Sequence, residues 1–294
     1  AFGLKLNYFS NAKDQSVGLV LFLLVILFQN RLLNFEIISI DVPSYLVASQ
    51  GVSFNSLPFE NQWESKGPLF IYLYKLIITL SFKNLVFFKI LNDCLLFLIT
   101  YFTYKISSYI SKNKLVAFMS ALFFILVTSY EWYVTELTEI YCLVFLSIHY
   151  FVITKYELNN KVIFIAALLI SFSSLINQSN AIFIIGLFLA IINNKKSLKD
   201  SRMLTYLFAG FGLPQIFFLL VYFFNGLLDV YLTNYIKIPF GYVSSGKFEV
   251  YELIVWLRRY FQYSEFLYYS ILAISIMFLI STLNKRFKFE KTLL

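Results

Sequence analysis

An acid, a tyrosine and a lysine share one polar stretch of a chain that otherwise offers chemistry very little. Asp41-Val42-Pro43-Ser44-Tyr45 runs on through Pro58-Phe59-Glu60-Asn61-Gln62-Trp63-Glu64-Ser65-Lys66-Gly67-Pro68-Leu69, directly after a long apolar run. A carboxylate can accept a proton, and an ammonium can meet a phosphate. A carboxylate at a membrane boundary also needs a reason, because most of its surroundings penalise charge. Asp41 is the leading candidate.

The surroundings follow from composition. Of 294 residues, 60% are hydrophobic and 14% charged, and the mean hydropathy is +0.74. Apolar runs of about 20 residues recur and match the thickness of a bilayer core. A soluble globule is excluded, and the chain reads as an all-α polytopic membrane protein. Only helices or closed barrels satisfy their backbone in lipid, and these runs are apolar on all faces instead of alternating. The formal charge of +8 falls in short loops between apolar runs, which is an orientation pattern and not a nucleic-acid footprint. Cys94 and Cys142 lie inside apolar runs and read as small core residues, with no disulfide framework or metal site.

Apolar segments near 17–38, 68–82, 85–104, 115–130, 134–153, 162–176, 181–192, 203–224 and 264–283 predict about eight or nine transmembrane or membrane-embedded helices. They form one membrane domain over 1–294. It comprises a first span (17–38), an outer loop with juxtamembrane helices (39–82), a helical bundle (85–224), a second long outer loop (225–263) and a last span (264–283). The first residue is Ala and the last lies just past a basic stretch, so a fragment of a longer protein is expected. Four loops hold more than half of the 24 basic residues: Lys105, Lys112 and Lys114; Lys155 and Lys161; Lys195, Lys196, Lys199 and Arg202; Lys285, Arg286, Lys288 and Lys291. All four are placed in the cytoplasm. The Glu131 to Glu139 turn, the Asn177 to Asn180 turn and the stretch from Asn225 to Tyr263 then face outward. With the Asp41 island outside, 68–104 must cross an odd number of times, so 68–82 is expected to be a shallow or re-entrant helix.

Asp41 after the first span, Tyr45, Gly51, Pro58-Phe59, Trp63 and then Lys66-Gly67-Pro68-Leu69 opening an apolar helix resemble the first extracytoplasmic loop of GT-C glycosyltransferases. The likeness is to bacterial dolichyl-phosphate-mannose-protein mannosyltransferase-like enzymes and the aminoarabinose transferase. It is sharpest over residues 36–75 and continues as a pattern of spans and short basic loops to about 220. Val42 stands where many relatives carry a second acid, and Gly67 replaces the first Pro of their Lys-Pro-Pro sequence. The resemblance implies inverting transfer of a sugar from a polyprenyl-phosphate carrier to a hydroxyl on a lipid, glycan or protein. It implies a site at the outer face of a bacterial inner membrane, with Asp41 as catalytic base. Partial desolvation would strengthen that base, and Lys66 would meet the departing lipid phosphate. No cofactor is required; a divalent metal lacks the second acid beside Asp41.

The remaining candidates each carry a plainer reading. Asp41 itself also suits a turn before Val-Pro. Tyr45, one helical turn on, orients Asp41 or anchors at the interface. Lys66 alternatively snorkels to headgroups. Trp63 belongs to an aromatic belt or stacks on a sugar. Glu60 and Glu64, at i, i+4 spacing, share a helix face that is either solvated or part of the site. Glu136 and Glu139 share another, available to a polar acceptor. Arg258 and Arg259, which run against the positive-inside trend, suit a second phosphate or an anionic lipid. His149 reads as packed or bonded to headgroups. Asn92 and Asp93 line the site or bond to Asn177 or Gln178. Two other functions compete. A flippase for lipid-linked saccharides would place paired charges and broken helices at the midplane in two similar halves. A polysaccharide polymerase or ligase would use the cations of the second outer loop.

Overall fold

The computed structural model describes residues 12–29 (side chains from 15), 41–53, 56–60, 64, 66–129, 137–193, 202–239 and 241. Among these the structure is helical, with one isolated bridge between Ser53 and Ser56 and no strand. In chain order the helices are α1 (Ala12–Gln29), α2 (Asp41–Gln50), α3 (Pro68–Leu80), α4 (Leu85–Ser111), α5 (Lys114–Thr128), α6 (Thr138–Lys155) and α7 (Asn160–Ile176). A 3₁₀ turn (Gln178–Ile182) leads to α8 (Phe183–Asn193), α9 (Arg202–Phe224) and α10 (Leu228–Leu232), which runs into a π-turn (Thr233–Lys237). Three of them, α4, α6 and α9, are long and apolar enough to cross a membrane. α5 and α7, at 15 and 17 residues, are shorter apolar helices. The expected last span and the basic loop at 195–199 lie outside the described residues.

Local chemistry explains where helices begin. Asn84, Asn113 and Asn159 each turn a side-chain oxygen onto backbone N–H groups of the following first turn, capping α4, α5 and α7. Pro68 opens α3, where a missing N–H costs nothing. α4 outruns the expected 85–104 by seven residues. Lys105 therefore lies inside a helix and not in a loop: it is 7% exposed, its ammonium 5.2 Å from the Tyr101 ring centre and 5.9 Å from that of Tyr104. Two aromatic faces solvate the cation where the sequence suggested water.

α4 and α6 run parallel, with Tyr141 of α6 donating to Asn92 of α4 at 2.6 Å near their starts. α5 and α7 return antiparallel. Gln29 at the end of α1 donates to the Thr128 carbonyl at the end of α5 (3.1 Å). One end of the bundle thus holds the short turns with Lys112, Lys114, Lys155 and Lys161, and the start of α9 at Arg202. The opposite end holds α2, α3, the 81–84 turn, the 3₁₀ turn and α10. There Tyr45, Phe70, Ile71, Tyr74, Phe88, Tyr141 and Ile176 form a buried cluster.

α7 and α9 pack closely because small residues allow it: a Cβ on Gly210 would overlap the Phe164 carbonyl. Ser171 donates to the Phe211 carbonyl (2.6 Å) and Gln215 to the Ser174 hydroxyl (2.8 Å). The start of the expected second outer loop is also structured. Tyr222, Tyr231 and Tyr235 stack, with ring centres 4.7 and 5.2 Å apart, and Tyr235 donates to the Ser174 carbonyl (2.8 Å).

Candidate functional site

Asp41 is the first residue of α2, where a helix favours negative charge. Ser44 closes the turn by donating to the Asp41 carbonyl at 2.7 Å. The carboxylate is exposed, so the described residues do not supply the desolvation expected for a strengthened base. One turn on, Tyr45 is 3% exposed and meets Phe70 and Tyr74 edge-on at 4.8 and 5.8 Å. It is a core residue, not an interfacial anchor. Burial raises its hydroxyl pKa well above the usual phenol range, and the nearby carboxylates of Asp41, Glu64 and Glu139 raise it further, against an opposing contribution from the Thr138 side chain. Acids from three segments thus act on one phenol, which stays protonated.

Glu64 is 8% exposed and accepts the Lys66 backbone N–H at 3.2 Å. Lys66 is half-buried and, with Glu139, lies within electrostatic reach of the Cys142 thiol. Glu139, in the first turn of α6, accepts from the Thr138 hydroxyl at 3.0 Å. The fold therefore gathers Asp41, Tyr45, Glu64, Lys66 and Glu139 at one bundle end. Trp63, Glu136, Arg258 and Arg259 lie outside the described residues.

The shared helix face of Glu60 and Glu64 is not formed. Residues 58–60 make a turn, with Phe59 at φ 72° and Glu60 accepting from the Leu57 N–H at 2.9 Å. Tyr222, from α9, holds this turn by donating to the Pro58 carbonyl at 2.7 Å. Gly67 has a local reason to depart from the Lys-Pro-Pro pattern. Its N–H donates to the Ile176 carbonyl at 2.8 Å, which Pro could not do, and a Cβ there would overlap the Leu175 carbonyl. α3 is thereby pinned to the end of α7.

Asn92 bonds to Tyr141 and to the Phe88 carbonyl (2.8 Å), while Asn177 caps the 3₁₀ turn and Gln178 donates to the Tyr235 carbonyl. Asn92 thus joins α4 to α6 through Tyr141. His149 is buried with Nδ1 3.1 Å from the Ala166 carbonyl. Lys89 was passed over. It stands four residues before Asp93 on α4, and the two are 3% and 1% exposed. This spacing of opposite charges inside an apolar helix was the available signal. They lie in the first third of α4, not at its middle.

No three His, Cys, Asp or Glu side chains among the described residues come together to hold a metal, and Val42 follows Asp41. A cavity of about 530 Å³ opens near the opposite end of α2, bordered by Gln50, Lys75 and Lys83 and by none of the sequence-predicted site residues. No protein-family model, curated protein or solved structure matches this chain.

Proposed function

We propose that the protein is an integral membrane glycosyltransferase of the GT-C type, moving a sugar from a polyprenyl-phosphate carrier to an acceptor hydroxyl. The observation that supports this reading is the gathering of an exposed acid, a protonated phenol and a lysine at one end of the bundle. Asp41 takes the proton of the acceptor hydroxyl as its oxygen attacks the anomeric carbon. The bond from that carbon to the phosphate oxygen breaks, the configuration inverts, and polyprenyl phosphate leaves. Lys66 counters the negative charge that develops on the phosphate. Glu139, which is exposed, offers an acceptor to sugar or acceptor hydroxyls, while the buried Tyr45 and Glu64 support the site from beneath.

The lysine-bearing turns at the other end favour a cytoplasmic placement for that end. The site then faces the outside of a bacterial inner membrane. No observation favours polymerase or flippase action. Lys237 of the second loop meets Asp229 at 3.4 Å on the surface, and Lys89 and Asp93 lie in the first third of α4.

Asp41→Asn removes charge and keeps shape. In membranes supplied with radiolabelled polyprenyl-phosphate hexose or pentose, transfer should fall by about 10²–10⁴-fold. Full activity in that variant rejects the base assignment.

A further inference from the structure

We propose that the groove between the C-terminal ends of α2 and α3 binds the phosphate head of a membrane lipid, with Lys75 and Lys83 on the phosphate and Leu76, Leu80 and Phe82 beside the chain. This is a second site. It lies nine residues along α2 from Asp41, about 14 Å at 1.5 Å per residue, and it holds whether or not Asp41 is a base.

The cavity, at about 530 Å³, is of the size that takes a headgroup. Both lysines border it, and neither meets a carboxylate among the described residues. Lys75 donates to the Val52 carbonyl at 2.5 Å and to the Gln50 carbonyl at 3.5 Å. Those neutral acceptors fix the ammonium at the cavity wall without cancelling its charge. Two positive charges bordering one concavity, that of Lys75 held in place, select an anion.

The turn that delivers Lys83 is strained. Phe82 and Lys83 are consecutive non-glycine residues in the left-handed region, at φ 53° and 61°. Bonds on every side hold them there: Phe82 N–H to the Thr79 carbonyl (3.1 Å), Lys83 N–H to Ile78 (3.2 Å) and Asn84 N–H to Ser81 (2.9 Å). These bonds close the C-terminus of α3 and keep Lys83 at the cavity edge. The turn also pushes Phe82 outward, 87% exposed, beside a cation. Leu76 and Leu80, one helical turn apart, are 51% and 53% exposed on the same helix. An apolar stripe edged by lysines selects an anion that carries a hydrocarbon chain over a soluble one.

The test uses the full chain in uncharged detergent, titrated with phosphatidylglycerol, undecaprenyl phosphate or inorganic phosphate and read by native mass spectrometry. A lipid phosphate should be retained, and Lys83→Gln should weaken it by about fivefold. Lys83 is exposed, so an unchanged Tm shows that the variant is folded. Lys112→Gln, at the other end, should leave binding intact. Whichever lipid binds more tightly names the source of the phosphate. Equal losses in Lys83→Gln and Lys112→Gln, or inorganic phosphate binding as well as either lipid, overturns the proposal.

Discussion

The two ends of this bundle are built in different ways. At the lysine end, helices are joined by short turns, the chain is capped by Asn113 and Asn159, and Lys112, Lys114 and Lys161 point to the surroundings. At the acid end, the connections are thick with aromatic rings and tied by bonds between residues far apart in sequence, such as Tyr222 to Pro58 and Gly67 to Ile176. Short capped turns need only local chemistry. Long-range ties fix the stretch from Pro58 to Gly67 against α7 and α9.

That contrast can be broken or sharpened by experiment. The largest effect is the loss of transfer in Asp41→Asn described above, with no change in folding. Next is Gly67→Ala, whose added methyl meets the Leu175 carbonyl and should cost about 2–3 kcal/mol. It is read as a lowered unfolding midpoint in detergent; a stability equal to the parent's would mean that α3 is not pinned to α7. Alkali should loosen the acid end. Burial pushes the Tyr235 hydroxyl up to about 12, above the ordinary value near 10. The stability tied to its protonated form is present below about pH 10 and is lost as pH rises through 12. Tyr235→Phe should therefore blunt alkaline unfolding in that window, and an unaltered alkaline transition removes Tyr235 from the explanation. The smallest effect belongs to the lysine end. Asn113→Ala removes one cap and should cost about 1 kcal/mol without touching transfer activity; lost transfer in a folded Asn113→Ala protein would join the two ends functionally.

Much of the helical order was legible because apolar runs in this chain have few other options. The starts of α4, α5 and α7 were also written plainly, each as an Asn before an apolar run, although the charges drew attention away from them. Lys105 shows why charge misleads at boundaries: two tyrosine rings one and four residues before it let a helix carry an ammonium onward. Glu60 and Glu64 show the converse. Spacing of four residues means a shared face only where a helix forms, and neither Glu60 nor Glu64 lies in one. Asp41, Tyr45 and Lys66 were found because they stand in one stretch. The convergence of Glu139 on Tyr45, and the hold of α9 on Pro58, depend on packing between distant segments and left no local trace.

The bond from Tyr222 to Pro58 joins residues 164 positions apart, and this sets an order of assembly. During synthesis the turn at 57–60 leaves the ribosome well before its partner on α9, and the Ile176 carbonyl that receives Gly67 also arrives late. The hold of Tyr222 on this turn therefore forms only after the six helices α3 to α8 have been made. Chains halted before α9 would lack both one candidate span and the tyrosine that closes on the 57–60 turn.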